Sequence, residues 1–254
     1  VIGKPVFVKQ STSLIGTWMV DPKPTAASAN KIWVTLGLEG ETVLEYSSEG
    51  NFEKGVVERE LSLSGTPFFG TGHVVSGGFL YYHWARQQKI VRYNLALGEV
   101  TTVRQLSDLN HKVVKGSKTF LYHSESLFVD FNVDENGLWI IYSLGGNPKL
   151  MVALLNEETL DIVKSLHVEV QVGSKGNAFI ACGKLYTVRH HNRQTSFVDE
   201  EHDLWHNRTQ PIKITVNNPY GNTVMLTYDT ANRRLLAWDA GRQLRSPLLL
   251  KDSN

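Results

Sequence analysis

The sequence predicts an all-β fold, a five-bladed β-propeller closed by the N-terminal strand pairing in the C-terminal blade. Three observations carry this. One hairpin pattern recurs along the chain. Its copies fall at comparable intervals: Leu80, Leu138, Leu185 and Leu236 mark corresponding points, with gaps of 58, 47 and 51 residues. The last unit is one strand short, and one strand is left over at the opposite end.

The pattern is clearest in Ser126–Ser143. Leu127, Val129, Phe131 and Val133 alternate with Phe128, Asp130, Asn132 and Asp134. Asp134-Glu135-Asn136-Gly137 supplies the turn. Asp and Asn side chains bond turn backbone, and Gly takes positive φ without a Cβ clash. Leu138–Tyr142 opens the return strand. His73–His83, Ala178–Val188 and Met225–Trp238 repeat the arrangement. A lone hairpin cannot bury both faces, so such units must stack. A strand-borne period of about fifty residues points to propeller blades.

Pro5–Lys9 is a short first strand. Gly16–Asp21, Lys31–Leu36, Thr42–Ser47 and Val57–Leu63 make the first unit. Pro22 and Pro24 stop its opening strand, because proline cannot donate to a ladder. Thr71–Val75, Gly78–His83, Lys89–Leu95 and Glu99–Leu106 make the second, followed by a polar loop at Asp108–Thr119. Leu127–Asp134, Leu138–Ser143, Leu150–Leu155 and Ile162–Val170 make the third, with Asn156–Thr159 read as a hairpin turn. Asn177–Cys182, Lys184–Arg189, Thr195–Asp199 and Ile212–Val216 make the fourth, with Glu200–Gln210 read as a surface excursion. Val224–Asp229, Arg234–Asp239 and Gln243–Leu249 make the last. Pro5–Lys9 completes it, so the ring hides its free edges. No amphipathic helix of ordinary length is present, which argues against an α/β enzyme.

The composition suits a globular chain: 254 residues, 41% hydrophobic and 20% charged. No apolar run approaches the ~20 residues of a membrane span. The chain opens at Val1 without an initiator Met, as expected of a mature or excised segment of something longer. Net charge is +1, and His190-His191 with Arg189 and Arg193, and Arg233-Arg234, are small basic clusters, not the stripe that nucleic-acid binding needs. One cysteine, Cys182, excludes an internal disulfide framework or a Cys-based zinc site. Its apolar neighbours suggest a buried, inert thiol on a strand. Asn207-Arg208-Thr209 is a glycosylation sequon.

The first strand of each blade lines the central channel. Asp130 and Asn177 fall on such strands, where a buried carboxylate needs compensation. A calcium or sodium ion would supply it. Backbone N–H groups or water would do so equally well. No H-E-x-x-H, G-x-S-x-G, P-loop or EF-hand pattern is present. Asp21, Asp134 and Asp229 sit at strand ends, where turn duty is expected.

Six segments in order resemble the olfactomedin domain across nearly the whole chain. They are Gly16–Pro22, Gly70–Val75, Ile90–Leu95, Val133–Trp139, Asn177–Tyr186 and Leu236–Asp239. The resemblance implies one domain over 1–254, a five-bladed propeller that is extracellular, non-enzymatic and works through protein contacts. It also implies a channel calcium site, with the side chains of Asp130 and Asn177 and the carbonyls of Ala178 and Leu226 as candidate ligands. The family pattern has two further acidic positions. Here they are Phe128 and Thr227. The site is therefore expected to be vestigial, since affinity follows ligand charge. The family disulfide would join Cys182 to a cysteine upstream of Val1. Implied partners are extracellular or membrane adhesion proteins, with oligomerisation through segments outside this chain and no membrane insertion.

Two functions compete at this level. One is a recognition module using loops Asp108–Lys118, His190–Gln194 and Glu200–Gln210. The other is a propeller hydrolase, a lactonase or glycosidase, using channel acids and a metal. The second needs several polar groups converging on the channel, and the inner strands are mostly apolar.

Overall fold

A computed structural model describes residues 1–115 and 119–249. In chain order the elements begin with β1 (Val6–Gln10), β2 (Gly16–Val20), β3 (Ile32–Leu36), β4 (Glu39–Gly40), β5 (Thr42–Tyr46), helix α1 (Glu49–Lys54), β6 (Arg59–Ser62) and β7 (Phe68–Phe69). Next come β8 (Val74–Ser76), β9 (Phe79–His83), β10 (Lys89–Asn94) and β11 (Glu99–Gln105). Then come β12 (Val129–Asp134), β13 (Gly137–Tyr142), β14 (Lys149–Leu155) and β15 (Ile162–Gln171). They are followed by β16 (Asn177–Ala181), β17 (Lys184–Val188), β18 (Thr195–Asp203) and β19 (Arg208–Asn217). Last are β20 (Thr223–Asp229), β21 (Arg234–Asp239) and β22 (Arg242–Pro247).

These strands form five four-stranded antiparallel sheets, and β4 with β7 adds a two-stranded ribbon. The fifth sheet has the order β1-β22-β21-β20, so the N-terminal strand closes the ring as the sequence predicts. Strands β2, β8, β12, β16 and β20 are innermost and pack on one another.

The core explains why β13 is apolar throughout. Leu138, Ile140 and Tyr142 point into a cluster shared with the second blade, including Tyr81 and Ile90. Trp139 and Ile141 point the other way, into a cluster shared with Ala178, Ile180 and Leu185 of the fourth. Both faces of an inner hairpin are thus buried, and period-two alternation separates two cores, not core from water. Three further clusters fill the remaining gaps between neighbouring blades. The wedges are continuous around the ring.

Several local expectations are corrected. Cys182 is not buried on a strand. It is exposed, at φ 52° in the turn between β16 and β17. Glu200–Gln210 is not a loop. Strand β18 runs on to Asp203 and β19 starts at Arg208, so only 204–207 turn. A register shift between Val198 and Glu200 lets the long hairpin continue past the bulge. The segment before β6 holds a short helix. Ser48 caps it by accepting from Asn51 N, and Gly55 ends it at φ 76°. Lys9 on β1 donates to Phe52 O at 2.7 Å, which ties the closing strand to this helix.

Two strand-end aspartates join blades. Asp21 accepts from Gly77 N at 2.9 Å and Gly78 N at 2.8 Å, in the inner turn of the next blade. Asp134 accepts from Gly183 N at 2.6 Å, in the inner turn of the fourth blade, and from Trp139 Nε1 at 2.8 Å. Their turn duty therefore reaches beyond their own hairpins.

Candidate functional site

The channel is held by hydrogen bonds that cross from blade to blade. Thr17 Oγ1 donates to Thr71 O at 2.8 Å, and Thr71 Oγ1 donates to Val224 O at 2.6 Å. Ser126 Oγ donates to the same Val224 carbonyl at 3.0 Å. Ile180 N donates to Asn132 Oδ1 at 3.0 Å. Phe131 N donates to Gly72 O at 2.8 Å. A Cβ at Gly72 would lie 2.7 Å from Asp130 Cα, so only glycine allows this approach.

Asp130 is buried, and its Oδ2 accepts from Tyr122 OH at 2.7 Å. Burial pushes its carboxyl up to about 7, against the pull of the Tyr122 and Asn132 hydrogen bonds. Asn177 Oδ1 lies 3.0 Å from Ala178 N, and Nδ2 lies 3.4 Å from Thr223 O. The candidate ligands Asp130, Asn177, Ala178 and Leu226 sit on β12, β16 and β20, which pack together at the axis. Phe128 is buried between Phe120 and Phe69, at ring distances of 4.6 and 5.0 Å. Thr227 is buried as well, and its hydroxyl has no hydrogen-bond partner among the described residues.

Calcium takes about six to eight oxygen ligands, with carboxylates supplying the charge. Here Asp130 is the one carboxylate of the candidate set, and the Tyr122 hydroxyl donates to one of its oxygens. Phe128 stands in an aromatic stack and Thr227 offers a neutral hydroxyl, and neither supplies charge. Among the described residues no three His, Cys, Asp or Glu side chains are grouped to hold a metal. This donor set fits a divalent ion poorly.

Tyr122 was the partner that sequence reasoning missed. It follows the polar loop in a run, Phe120-Leu121-Tyr122, whose apolar character marks a buried return to the axis.

The family model for the olfactomedin-like domain matches residues 1–253. The chain belongs to the olfactomedin-like family. It is 30% identical over 246 residues to myocilin of Oryctolagus cuniculus, covering 94% of this chain and 49% of that protein. It is 29% identical over 255 residues to myocilin of Homo sapiens, covering 94% and 48%. The chain thus spans about half the length of the myocilins it matches. Myxococcus xanthus glutaminyl cyclase superposes with a TM-score of 0.55 at 11% identity, covering 98% of this chain and 97% of that one. At that identity the likeness shows the propeller fold alone.

Strand order in this olfactomedin-like domain sorts its loops onto two faces. The lower face carries the inner turns, the termini, Cys182 and Asn207. The upper face carries the connections between blades and the turns after the second strand of each blade. Loops Asp108–Lys118 and His190–Gln194 therefore share the upper face, although residues 116–118 lie outside the described residues. The tip of the third candidate segment points to the lower face. Asn207 occupies that tip, exposed, at φ 51°.

Cys182 on the lower face is no nucleophile. Partial desolvation, then the Glu135 carboxylate, pushes its thiol up to about 11, so the thiolate is scarce at neutral pH. Val1 opens on the same side, with Leu248 N bonded to Arg233 O at 2.8 Å and its own N-terminus bonded to Leu249 O.

Proposed function

We propose that this domain is a non-enzymatic, extracellular protein-recognition module of the gliomedin kind. Gliomedin is the glial protein of nodes of Ranvier, and the partner class is axonal immunoglobulin-type adhesion molecules such as neurofascin. Upstream segments outside this chain would present the domain as an oligomer and supply a cysteine for Cys182. Secretion and a glycan on Asn207 belong to the same proposal. Among the described residues, no helix is long and apolar enough to cross a membrane.

The observation that carries this reading is the sealed axis. Packed aromatics and blade-to-blade hydrogen bonds leave one carboxylate there, already bonded to Tyr122. A hydrolase needs converging polar groups around an open site. Recognition needs a rigid face with accessible loops, which a propeller supplies. The same argument makes calcium or sodium dispensable in the channel.

The test is a cell-surface binding screen with the multimerised domain, run with and without chelator. Binding to an adhesion protein that survives chelation is expected. Turnover of lactones or glycosides that disappears with Asp130→Ala would reverse the conclusion. Calorimetric uptake of calcium with a raised melting temperature would overturn the vestigial site.

A further inference from the structure

Arg189, His190, His191 and Arg193 share one short upper-face loop, and His123 from the preceding connection stands close enough to repel His190 and His191. Burial, then Arg193, Arg189 and His123, holds His190 below the usual imidazole range. His191 is held down by burial, then by His123 and His190. This basic loop is fixed in place. Asn218 Nδ2 donates to His190 O and to Arg193 O, each at 3.2 Å, and His190 N donates to Ser196 Oγ at 2.9 Å.

Several cations are paired, including Lys175 of this sector with Asp199 and Glu200. On the lower side Lys23 meets Glu157, Lys31 and Arg59 meet Glu45, and Arg234 meets Asp229. Among the described residues Lys112, Arg189 and Arg193 have no carboxylate within ion-pair distance, and all three are exposed. Asp199 acts on His190 and Glu125 on His191, but neither forms an ion pair with Arg189 or Arg193.

A cavity of about 190 Å³ opens beside the cluster, lined by Val113, Thr119, Phe120, Tyr122, His123 and Glu125 among others. Its wall is rigid, because Phe120 lies flat on Phe128. Thr119 is only 5% exposed, and its hydroxyl has no hydrogen-bond partner among the described residues. Val113 and Val114 on the adjoining connection are 64% and 50% exposed. An apolar-rimmed pocket next to cations is how an interface anchor is received: a buried side chain at the centre and a charged rim around it.

We propose that this sector docks an acidic segment of a partner protein. One apolar side chain of that segment enters the cavity beside Phe120 and His123, while its carboxylates meet Arg189, Arg193 and the histidines. A sulfated polysaccharide would satisfy the cations but has no side chain for the pocket. The proposal rests on the reading of the domain as a recognition module and names the chemistry of its partner.

The probe is a fluorescein-labelled peptide of Asp and Glu with one central Phe, compared with the same peptide carrying Ala there and with a heparin oligosaccharide. Anisotropy is read for the unaltered domain, the double variant R189E/R193E and V113D. These side chains are exposed, and a melting curve for each variant checks the fold. The Phe peptide binds, more weakly as salt rises. Its affinity falls about tenfold or more in each variant and with the Ala peptide. No binding of the Phe peptide overturns the proposal. Equal binding of both peptides, or Phe-peptide binding untouched by V113D, overturns it in favour of a charge-only surface. In the cell-surface screen, R189E/R193E staining like the unaltered domain removes this docking site but leaves the recognition module standing. A domain that stains no cells fails the module reading itself.

Discussion

The lower and upper faces of this propeller are closed by different chemistry. Below, carboxylates are spent inside the fold: Asp21 and Asp134 each clamp the inner turn of the next blade, and Asp229 accepts from Arg234 Nε at 2.8 Å. Lys23, Lys31, Arg59 and Arg234 on this side have carboxylate partners. Above, around the third and fourth blades, loops are held by amides and backbone, as when Asn110 Nδ2 donates to Ser143 Oγ and His123 N donates to Lys175 O. Ion pairs occur there too, Lys149 with Glu169 and Lys175 with Asp199 and Glu200. What sets this sector apart is that exposed Arg189 and Arg193 share one loop with no carboxylate in ion-pair distance among the described residues.

The largest expected effect tests the lower half of that contrast. Asp134→Ala would strand the indole N–H of Trp139 and the amide of Gly183, both deep between blades. Losing such a network costs about 3 to 5 kcal/mol. For a domain of this size that lowers the melting temperature by about 10 °C. Upper-face R189E/R193E is expected to stay within about 0.5 kcal/mol per site of the parent, as surface changes do. Equal melting temperatures for the two variants would erase the distinction.

A pH effect comes next and tests the sealed axis. Burial drives His73 down to about 3 and His83 down to about 4, while Asp130 is pushed up to about 7. The histidines are neutral in the fold, so their contribution is complete above their unfolded pKa of about 6.5 and is lost as pH falls toward their folded values. Asp130 works oppositely: its raised pKa favours the fold at low pH, and that advantage fades as pH rises from about 3.8 to about 7. Near pH 5 to 6 the unfolded chain holds two extra protons on these histidines and the folded chain holds one on Asp130. These three groups alone then make stability rise by about 1.4 kcal/mol per pH unit. Asp130→Asn removes the opposing proton and steepens the slope by about the same amount, read from urea unfolding at several pH values. An unchanged slope would mean that a bound cation keeps Asp130 ionised.

How far the sequence revealed all this depends on which signals are local. Hairpins declare themselves through Asp134-Glu135-Asn136-Gly137 and through apolar runs such as Leu138–Tyr142. Ring closure follows from counting strands. The axis was partly legible: Asp130 and Asn177 fall on inner strands β12 and β16, as their pattern predicts. Tyr122 was not legible as the partner of Asp130, because its connection returns to the axis only in three dimensions. Cys182 misled because apolar neighbours on its N-terminal side mimic a strand interior, whereas Gly183 and a left-handed φ make it a turn. Segment Glu200–Gln210 misled because the Asn207 sequon suggested a surface loop. On an outer blade edge, charge is compatible with strand.

Thiol reactivity is a smaller effect and probes the lower face directly. Cys182 is exposed, so access alone predicts fast labelling. Its thiol sits at about 11, held up by partial desolvation and by Glu135, whose Oε2 also accepts from Cys182 N at 3.0 Å. Labelling at pH 7 is expected to be about 100-fold slower than for a free cysteine near 8.5. Glu135→Gln should speed it several-fold, with time courses followed by mass spectrometry. Fast labelling of the parent would mean that Glu135 does not govern this thiol.

The smallest effect expected concerns Asn207. This residue is exposed at φ 51° in the turn of the β18–β19 hairpin, and Trp205 nearby packs on Trp139 at 5.8 Å. A glycan added there during secretion would project from the lower edge and leave the upper sector open. Asn207→Gln should therefore remove one glycan's mass and shift the melting temperature by no more than about 2 °C, since surface changes stay within about 0.5 kcal/mol. Cell-surface binding should be unchanged. A glycan-free variant that gains or loses binding would move the recognition surface to the lower face, and the unpaired cations above would need another explanation.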